Sequence, residues 1–390
     1  MYPRETLLAV AQEGARIRAV ARVISDVMSV GHGPTDADIV GSDDVSQALR
    51  LVANSIPDAP RSIVIVACSE TARHAARAVV SLIPAPSVPI VVTEQLPRYV
   101  GATDCVVVLT PDPADRAAEE ALVRCRRVRA MAAVAAPLSG PVADAARDYA
   151  LVSPDLPGGG EESWGRYVAT VAGACGLVGE IVVQGVLEYA ADAVDRDMEG
   201  NAPGRDETVN PARQLGMRMK DHRVVIAGDG ATRHVASFAA TCLLRHGIAA
   251  ATAETTELAR SYSAVQRGTS VDVESASARE CRAGGADASI FYDPFLDAPA
   301  AQPVAAVVVP GVDDSGVSNG DSSRGMGIGD GLVTAYPSTE KLGTLNRYFD
   351  AQSVTVVDLT SSDLHSVVAY ICVLGARLAA AAAYVTVQDD

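Results

Sequence analysis

Aromatic residues and lysine are both scarce in this sequence. Aromatic residues make up only 4% of its 390 residues, against 48% for hydrophobic residues as a whole, so the core must consist mainly of Ala, Val, Leu and Ile. Lys220 and Lys341 are the only lysines, and the net charge is −16. So acidic a chain lacks the basic surface that nucleic acids and anionic membranes need, and we expect neither partner.

Paired cysteines and targeting segments are absent as well. The seven cysteines are odd in number and scattered, and no C-x-x-C occurs, so the sequence indicates neither a disulfide framework nor a zinc site. We expect no metal and no cofactor. The N-terminal stretch has no uninterrupted apolar segment, so we expect no signal peptide and a cytoplasmic protein. In the apolar stretch "SVVAYICVLGARLAAAAAYVTV", Arg377 would cost roughly 2.5–3.5 kcal/mol in a membrane, which favours a buried terminal helix.

Strands and helices alternate along both halves of the sequence. In the first half, apolar runs such as "SIVIVAC", "DCVVVLT" and "AMAAVAAP" are separated by helical stretches, and a long helical region follows at 162–196. In the second half, the runs "RVVIAG", "IAAATA", "ASIFY", "VAAVVVP" and "QSVTVVD" repeat the pattern. Such alternation is typical of parallel sheets with helices on both faces. The sequence therefore predicts an α/β fold of two doubly wound, mostly parallel sheets with flanking helices.

A polar segment rich in Gly and Pro, "DMEGNAPGRDET", separates the two halves. We place a first domain with N-terminal helices at 1–197, a linker at 198–210 and a second domain with a C-terminal helix at 211–390. Asn210-Pro211 predicts a helix start, with Asn as the N-cap and Pro in the first turn. The glycine-rich segment at 311–331 is too long for a spacer, which leaves a functional loop or a disordered one.

One strand–turn–helix pattern occurs twice. "VIVACSETARHAA" at 64–76 matches "VVIAGDGATRHVA" at 224–236, so that the two Arg-His pairs are 160 positions apart. Ligands bind at the carboxyl ends of such strands, where the next helix presents free backbone N–H groups. The second turn combines a hydroxyl and an arginine with glycines that the first turn lacks, and together these favour binding of an anion. These predicted ligand-binding residues are Gly228, Gly230, Thr232 and Arg233.

Two other interpretations of the second turn are open. One is a tight structural turn with a solvated arginine. The other is a dinucleotide site, for which Glu254 and Glu257 lie at a suitable distance to bind a ribose. The dinucleotide fingerprint G-x-G-x-x-G disfavours that site, because Arg233 stands at the position of the third glycine.

The corresponding turns of the first half carry fewer groups for an anion. Ser69 and Thr71 offer hydroxyls in the first turn, and Thr110 offers one after the third strand. In the segment "PDPAD" that follows Thr110, the two prolines have no backbone N–H to donate and the two aspartates add negative charge. Both features disfavour binding of an anion there. We include Ser69, Thr71 and Thr110 among the predicted ligand-binding residues, with the second turn as the better site.

Two stretches of the second half, "NPARQLGMRMKDHRVVIAGDGATRHVASFAATCLL" and "ASIFYDPFLD", match a known pattern. The chain resembles the SIS-fold sugar isomerases over nearly its whole length. It is most similar to the actinobacterial TobH-like branch of the bacterial phosphoglucose/phosphomannose isomerase group. The resemblance implies tandem SIS-like domains, and it places Arg166 near an arginine that begins the long helix in that family.

The chain departs from the family at the residues that carry the chemistry. The resemblance implies a phosphate loop S-x-S-G-x-T, a carboxylate base on the first helix of the second domain and a ring-opening histidine in the segment after it. Here the loop reads "TPDPAD", the helix "VASFAATCLLRHG" has no Asp or Glu, and the segment "ETTELARSYSA" has no His. Isomerisation needs a base beside the C2 proton of the sugar.

These departures predict a catalytically degenerate isomerase homologue that binds a sugar phosphate or a nucleotide sugar. The resemblance implies that it regulates mannose and GDP-mannose metabolism through a partner enzyme. The alternative is an active glucose-6-phosphate/mannose-6-phosphate isomerase in which Glu254 or Glu257 serves as the base, and a pure scaffold is a third possibility. The long helix at 162–196 predicts a homodimer, because SIS relatives pair through such helices.

Overall fold

Two parallel sheets organise the computed structural model, which describes residues 3–31, 56–57, 60–156, 162–267, 304–310, 354–357, 359, 364 and 366–387. The first sheet consists of β1 (Ser62–Ala67), β2 (Ile90–Thr93), β3 (Asp104–Leu109), β4 (Met131–Ala135) and β5 (Leu151–Val152). The second consists of β6 (Arg223–Gly228), β7 (Ala250–Ala253), β8 (Val304–Val309) and β9 (Val354–Val356). The orders are β2-β1-β3-β4-β5 and β7-β6-β8-β9, with every described pair parallel. The predicted α/β fold of two parallel sheets is confirmed.

Helices flank both sheets. The helices that precede or follow the strands of the first sheet are α1 (Pro3–Ala11), α2 (Glu13–Gly31), α3 (Glu70–Val80), α4 (Arg116–Val128), α5 (Pro141–Ala146), α6 (Trp164–Leu177) and α7 (Val186–Gly200). Those of the second half are α8 (Pro211–Met219), α9 (Ala231–Arg245), α10 (Thr255–Arg267) and α11 (Val367–Tyr384). Asn210 caps α8 through a hydrogen bond from the Arg213 backbone N–H (2.9 Å), which confirms the predicted helix start.

The central strands are continuous apolar runs because helices cover both of their faces. Every residue of β1, β3 and β4 is buried, as expected of a covered parallel sheet. In each sheet the second strand lies on one side of the first, and the third strand lies on the other side. The strand order therefore reverses between β1 and β3 and again between β6 and β8, and ligands bind at such switch points.

The two halves share one hydrophobic core. It extends from Ile63 in the first sheet to Ile226 in the second, and α3 packs directly against α9. The single tryptophan, Trp164, stacks on Phe238 of α9 with ring centroids 4.4 Å apart, and its Nε1 donates to the Ile371 carbonyl (3.0 Å). Helix α11 is long and apolar enough to cross a membrane by length and composition alone, but 94% of it is buried inside the protein.

The predicted long helix at 162–196 is in fact two helices, α6 and α7, separated by residues 178–185. The connecting sequence "VGEIVVQG" combines two glycines with a β-branched run, and both lower helix propensity. Helix α7 ends at Gly200, three residues into the predicted linker. The predicted strand "ASIFY" and the predicted loop at 311–331 lie outside the described residues.

Candidate functional site

A cavity of about 760 Å³ lies at the carboxyl end of the first sheet, where the second half covers it. Thr71 and Pro111 follow the neighbouring strands β1 and β3, so the cavity is at the switch point of this sheet. Its size is within the range of small-molecule sites, roughly 300–1,000 Å³. The polar side chains that line it are those of Glu5, Thr6, Glu13, Thr71, Glu162, Arg245 and His246.

An ion pair joins the two halves across this cavity. Glu162, which precedes α6, binds Arg245 at the end of α9, and its Oε2 also accepts a hydrogen bond from the Thr71 hydroxyl (2.8 Å). Arg245 in turn donates to the Thr71 Oγ1 atom (3.1 Å). The side chain of Glu162 is 11% exposed and that of Arg245 is 42% exposed, so the arginine is the more accessible of the two. This cluster can offer both hydrogen-bond donors and acceptors to a bound molecule.

Glu13 enters the same cavity from the first turn of α2. Its Oε2 accepts hydrogen bonds from the Ser163 hydroxyl (2.7 Å) and from the Gly165 backbone N–H (2.7 Å), both at the start of α6. Arg16 lies behind it, with Nη1 3.5 Å from Glu13 Oε1. Burial is the largest influence on this carboxyl group and raises its pKa, although Arg16 and the hydrogen bonds act in the opposite direction.

The hydroxyls predicted in the first half have different surroundings. Ser69 is the N-cap of α3, where its Oγ accepts a hydrogen bond from the Ala72 backbone N–H (3.1 Å). Thr110 is buried, and its Oγ1 accepts from the Asp112 backbone N–H (3.1 Å) and lies 3.3 Å from Asp115 Oδ2. The structure thus brings Thr71 into the cavity and uses the other two hydroxyls in local turns. Ligand binding by Ser69 and Thr110 stays a prediction.

Arg166 is almost fully buried behind the carboxyl end of the first sheet. Its Nη2 donates to the carbonyls of Ala136 (2.7 Å) and Ser153 (2.6 Å), which follow β4 and β5. Its Nη1 lies 3.3 Å from Asp155 Oδ2, and its side chain is 5% exposed. The described partners of this guanidinium are therefore intramolecular, and its predicted contact with a ligand stays a prediction.

The predicted turn of the second half also uses its polar groups internally. Thr232 is buried, and its hydroxyl donates to the Asp229 carbonyl (2.9 Å). Arg233 is half-exposed and forms an ion pair with Glu254. Gly230, the N-cap of α9, has φ = 55°, a conformation that favours glycine, and no atom lies within 4 Å of where a Cβ would be. Gly228 has no such room, because a Cβ would lie 2.7 Å from the Thr232 carbonyl oxygen.

Sequence reasoning missed six polar residues of the cavity: Glu5, Thr6, Glu13, Glu162, Arg245 and His246. Glu162 follows the glycine-rich break and Arg245-His246 ends α9, so element ends are the signal that could have found them. Helix α9 carries no Asp or Glu. His246, at the C-cap of α9, lines the cavity, and burial lowers its pKa. Glu13 could not be found, because its partners lie about 150 residues away in the sequence.

No protein-family model matches the chain, and a search of curated proteins gave no match. Solved structures, in contrast, match nearly the whole chain. Tagatose-6-phosphate ketose/aldose isomerase from Escherichia coli gives a TM-score of 0.56 at 11% identity, covering 96% of this chain and 92% of that one. The C-terminal domain of glucosamine-fructose-6-phosphate aminotransferase from Francisella tularensis gives 0.53 at 13% identity, covering 98% and 95%.

The chain has the SIS fold. At such low identities the similarity concerns the fold alone, which is the fold expected from the sequence resemblance. The cavity of this chain lies at the carboxyl end of a SIS sheet, between its two halves. Membership of the TobH-like branch stays a prediction.

Proposed function

We propose that this protein binds a sugar phosphate or a nucleotide sugar in the cavity between its two halves. The observation that carries the proposal is the contact of Thr71, Glu162 and Arg245 at the switch point of the first sheet. A carboxylate and a hydroxyl are suited to sugar hydroxyl groups, and the N–H donors of an accessible arginine are suited to sugar and phosphate oxygens alike. The cavity of about 760 Å³ has room for such a molecule.

We further propose that the protein does not isomerise its ligand. Glu162 is held by Arg245 and Thr71, and Glu13 is held by Ser163 and the Gly165 backbone N–H. A general base must reach the proton that it removes. Hydrogen bonds to Oε2 hold both carboxylates at the wall of the cavity, and we propose that neither moves to the C2 proton of the sugar.

An active isomerase is the second candidate function, because a carboxylate and a histidine, Glu162 and His246, line the same cavity. The two candidates differ in turnover. Purified protein is mixed with hexose 6-phosphates, hexose 1-phosphates and GDP-sugars in a calorimeter, with the unphosphorylated hexoses as matched controls. A coupled isomerase assay follows with glucose 6-phosphate and mannose 6-phosphate. We expect binding that requires the phosphate, and no turnover near the ordinary enzyme range of about 1 s⁻¹ or above.

The biological setting follows from the sequence resemblance. We propose a cytoplasmic homodimer of the TobH-like branch that regulates mannose and GDP-mannose metabolism through a partner enzyme. The net charge of −16 supports the absence of nucleic-acid and anionic-membrane partners. Light scattering at micromolar concentration tests the dimer, and a single monomeric mass would contradict it.

A further inference from the structure

The first turn of α6 is built around a carboxylate from the other end of the first domain. Glu13 Oε2 accepts hydrogen bonds from the Ser163 hydroxyl and the Gly165 backbone N–H, each at 2.7 Å. A Cβ at position 165 would lie 2.6 Å from the same oxygen, so glycine is what permits this approach. A helix N-terminus with its backbone N–H and its N-cap hydroxyl aimed at one oxygen is a site shaped for an oxyanion.

A buried cation completes this set of donors. Arg16 is 0% exposed, and none of its three side-chain nitrogens has a hydrogen-bond partner among the described residues. Its ion-pair partner among the described residues is Glu13, whose Oε1 lies 3.5 Å from Nη1, longer than a good hydrogen bond. A guanidinium carries five N–H donors, and a buried one normally finds acceptors for them. The site therefore has more donor capacity than one carboxylate uses.

Glu13 stands between these donors and the cavity. Its side chain lines the cavity wall together with Thr6, whose Oγ1 is another buried atom without a hydrogen-bond partner among the described residues. Burial raises the pKa of Glu13, and the same burial disfavours any anion there, so a replacement must gain more hydrogen bonds than this carboxylate makes. An anion that arrives through the cavity could replace it.

We propose that Arg16, Ser163 and Gly165 form a binding site for the phosphate group of the sugar ligand, and that Glu13 occupies this site until the ligand displaces it. The inference rests on the proposed function and names the phosphate anchor within it. Glu13 presents Oε2 to Ser163 and Gly165 and Oε1 to Arg16. A phosphate group has more acceptor oxygens than this carboxylate, so it can also accept hydrogen bonds from the unpaired nitrogens of Arg16. Because Glu13 is tethered, it competes at a high effective concentration and weakens phosphate binding by the wild type.

Removal of the tethered competitor gives a gain-of-binding test. Calorimetry with inorganic phosphate should show at least tenfold tighter binding by Glu13→Ala than by the wild type. Adding Arg16→Met to Glu13→Ala should remove that gain. The matched control is Arg18→Met in the same background, because the Arg18 guanidinium lies on the same helix but pairs with Asp192 and Asp195. This control should keep the gain.

If Glu13→Ala does not fold, Glu13→Ser replaces it, since this short polar side chain leaves the donors of Ser163 and Gly165 vacant. Phosphate bound no more tightly by the variant than by the wild type would overturn the inference, as would a gain that survives Arg16→Met. The sugar panel on the wild type separates the two proposals. Sugar phosphates that bind with an affinity unaffected by Arg16→Met would leave the proposed function standing and remove the anchor. If inorganic phosphate binds Glu13→Ala as expected but no sugar phosphate binds the wild type or any variant, the phosphate site stands and the proposed function is contradicted.

Discussion

Replacing Arg166 with methionine distinguishes a structural arginine from a ligand-binding one. The guanidinium donates to two carbonyls, those of Ala136 and Ser153, and its side chain is 5% exposed. In Arg166→Met both carbonyls lose a buried donor, at about 1–3 kcal/mol each. Asp155 loses its ion-pair partner too, but this carboxylate is 30% exposed and water compensates for much of the loss. We expect the free energy of unfolding to fall by about 2–6 kcal/mol, which is the combined effect of the two unpaired carbonyls.

The single tryptophan provides the assay. Trp164 is buried between the halves and stacked on Phe238, so urea unfolding followed by its fluorescence reports on the shared core. The matched control is Arg116→Met, because Arg116 is 88% exposed and pairs with Glu120 on one surface helix. This control should change the free energy of unfolding by at most about 0.5 kcal/mol. Unchanged stability of Arg166→Met together with lost sugar-phosphate binding would refute the structural role and favour the contact predicted from sequence.

Three further predictions concern acid stability, the core and the ligand. Burial, and to a smaller extent nearby positive charge, lowers the pKa of His234 from 6.5 to about 4. Between these pH values the unfolded chain binds a proton at His234 that the folded chain does not bind. In urea titrations the free energy of unfolding should therefore fall as the pH drops from 6.5 towards 4, and it should fall less steeply in His234→Asn. Arg377→Met leaves the buried Asp197 carboxylate without its cation and should cost about 3–5 kcal/mol in urea unfolding, of which Asp197→Asn in the same chain restores a part. In calorimetry with a sugar phosphate that binds the wild type, Arg245→Ala should weaken binding by roughly tenfold or more. Arg233→Ala breaks an ion pair outside the cavity and should weaken binding by less than about twofold. The opposite order would place the ligand at the second turn.

The sequence predicted the fold well because the fold depends on local patterns. Apolar runs covered on both faces marked strands such as β1 and β3, and the Asn210-Pro211 pair marked the start of α8. The candidate site could not be predicted to the same extent, because it is made of contacts between distant segments. Glu13 meets Ser163 only after the first half has folded, and Thr71 meets Arg245 only after the two halves have packed together. No periodicity in a single sequence carries that information.

The repeated Arg-His motif now has a structural explanation. Arg73 pairs with Glu94, which follows β2, and Arg233 pairs with Glu254, which follows β7, so each copy joins its first helix to its second strand in the same way. The two helices, α3 and α9, also pack against each other, and burial lowers the pKa of both histidines of the motif.

The Arg-His motif is present in both copies, and in both it stabilises the packing of helices on a sheet. Apart from Thr71, the residues that we propose bind the ligand lie outside the motif. Glu162 and Arg245 meet at the carboxyl end of the first sheet alone, and Glu13 and Arg16 precede the first copy of the repeat. For this reason we propose that the ligand binds in the cavity rather than at the repeated Arg-His motif.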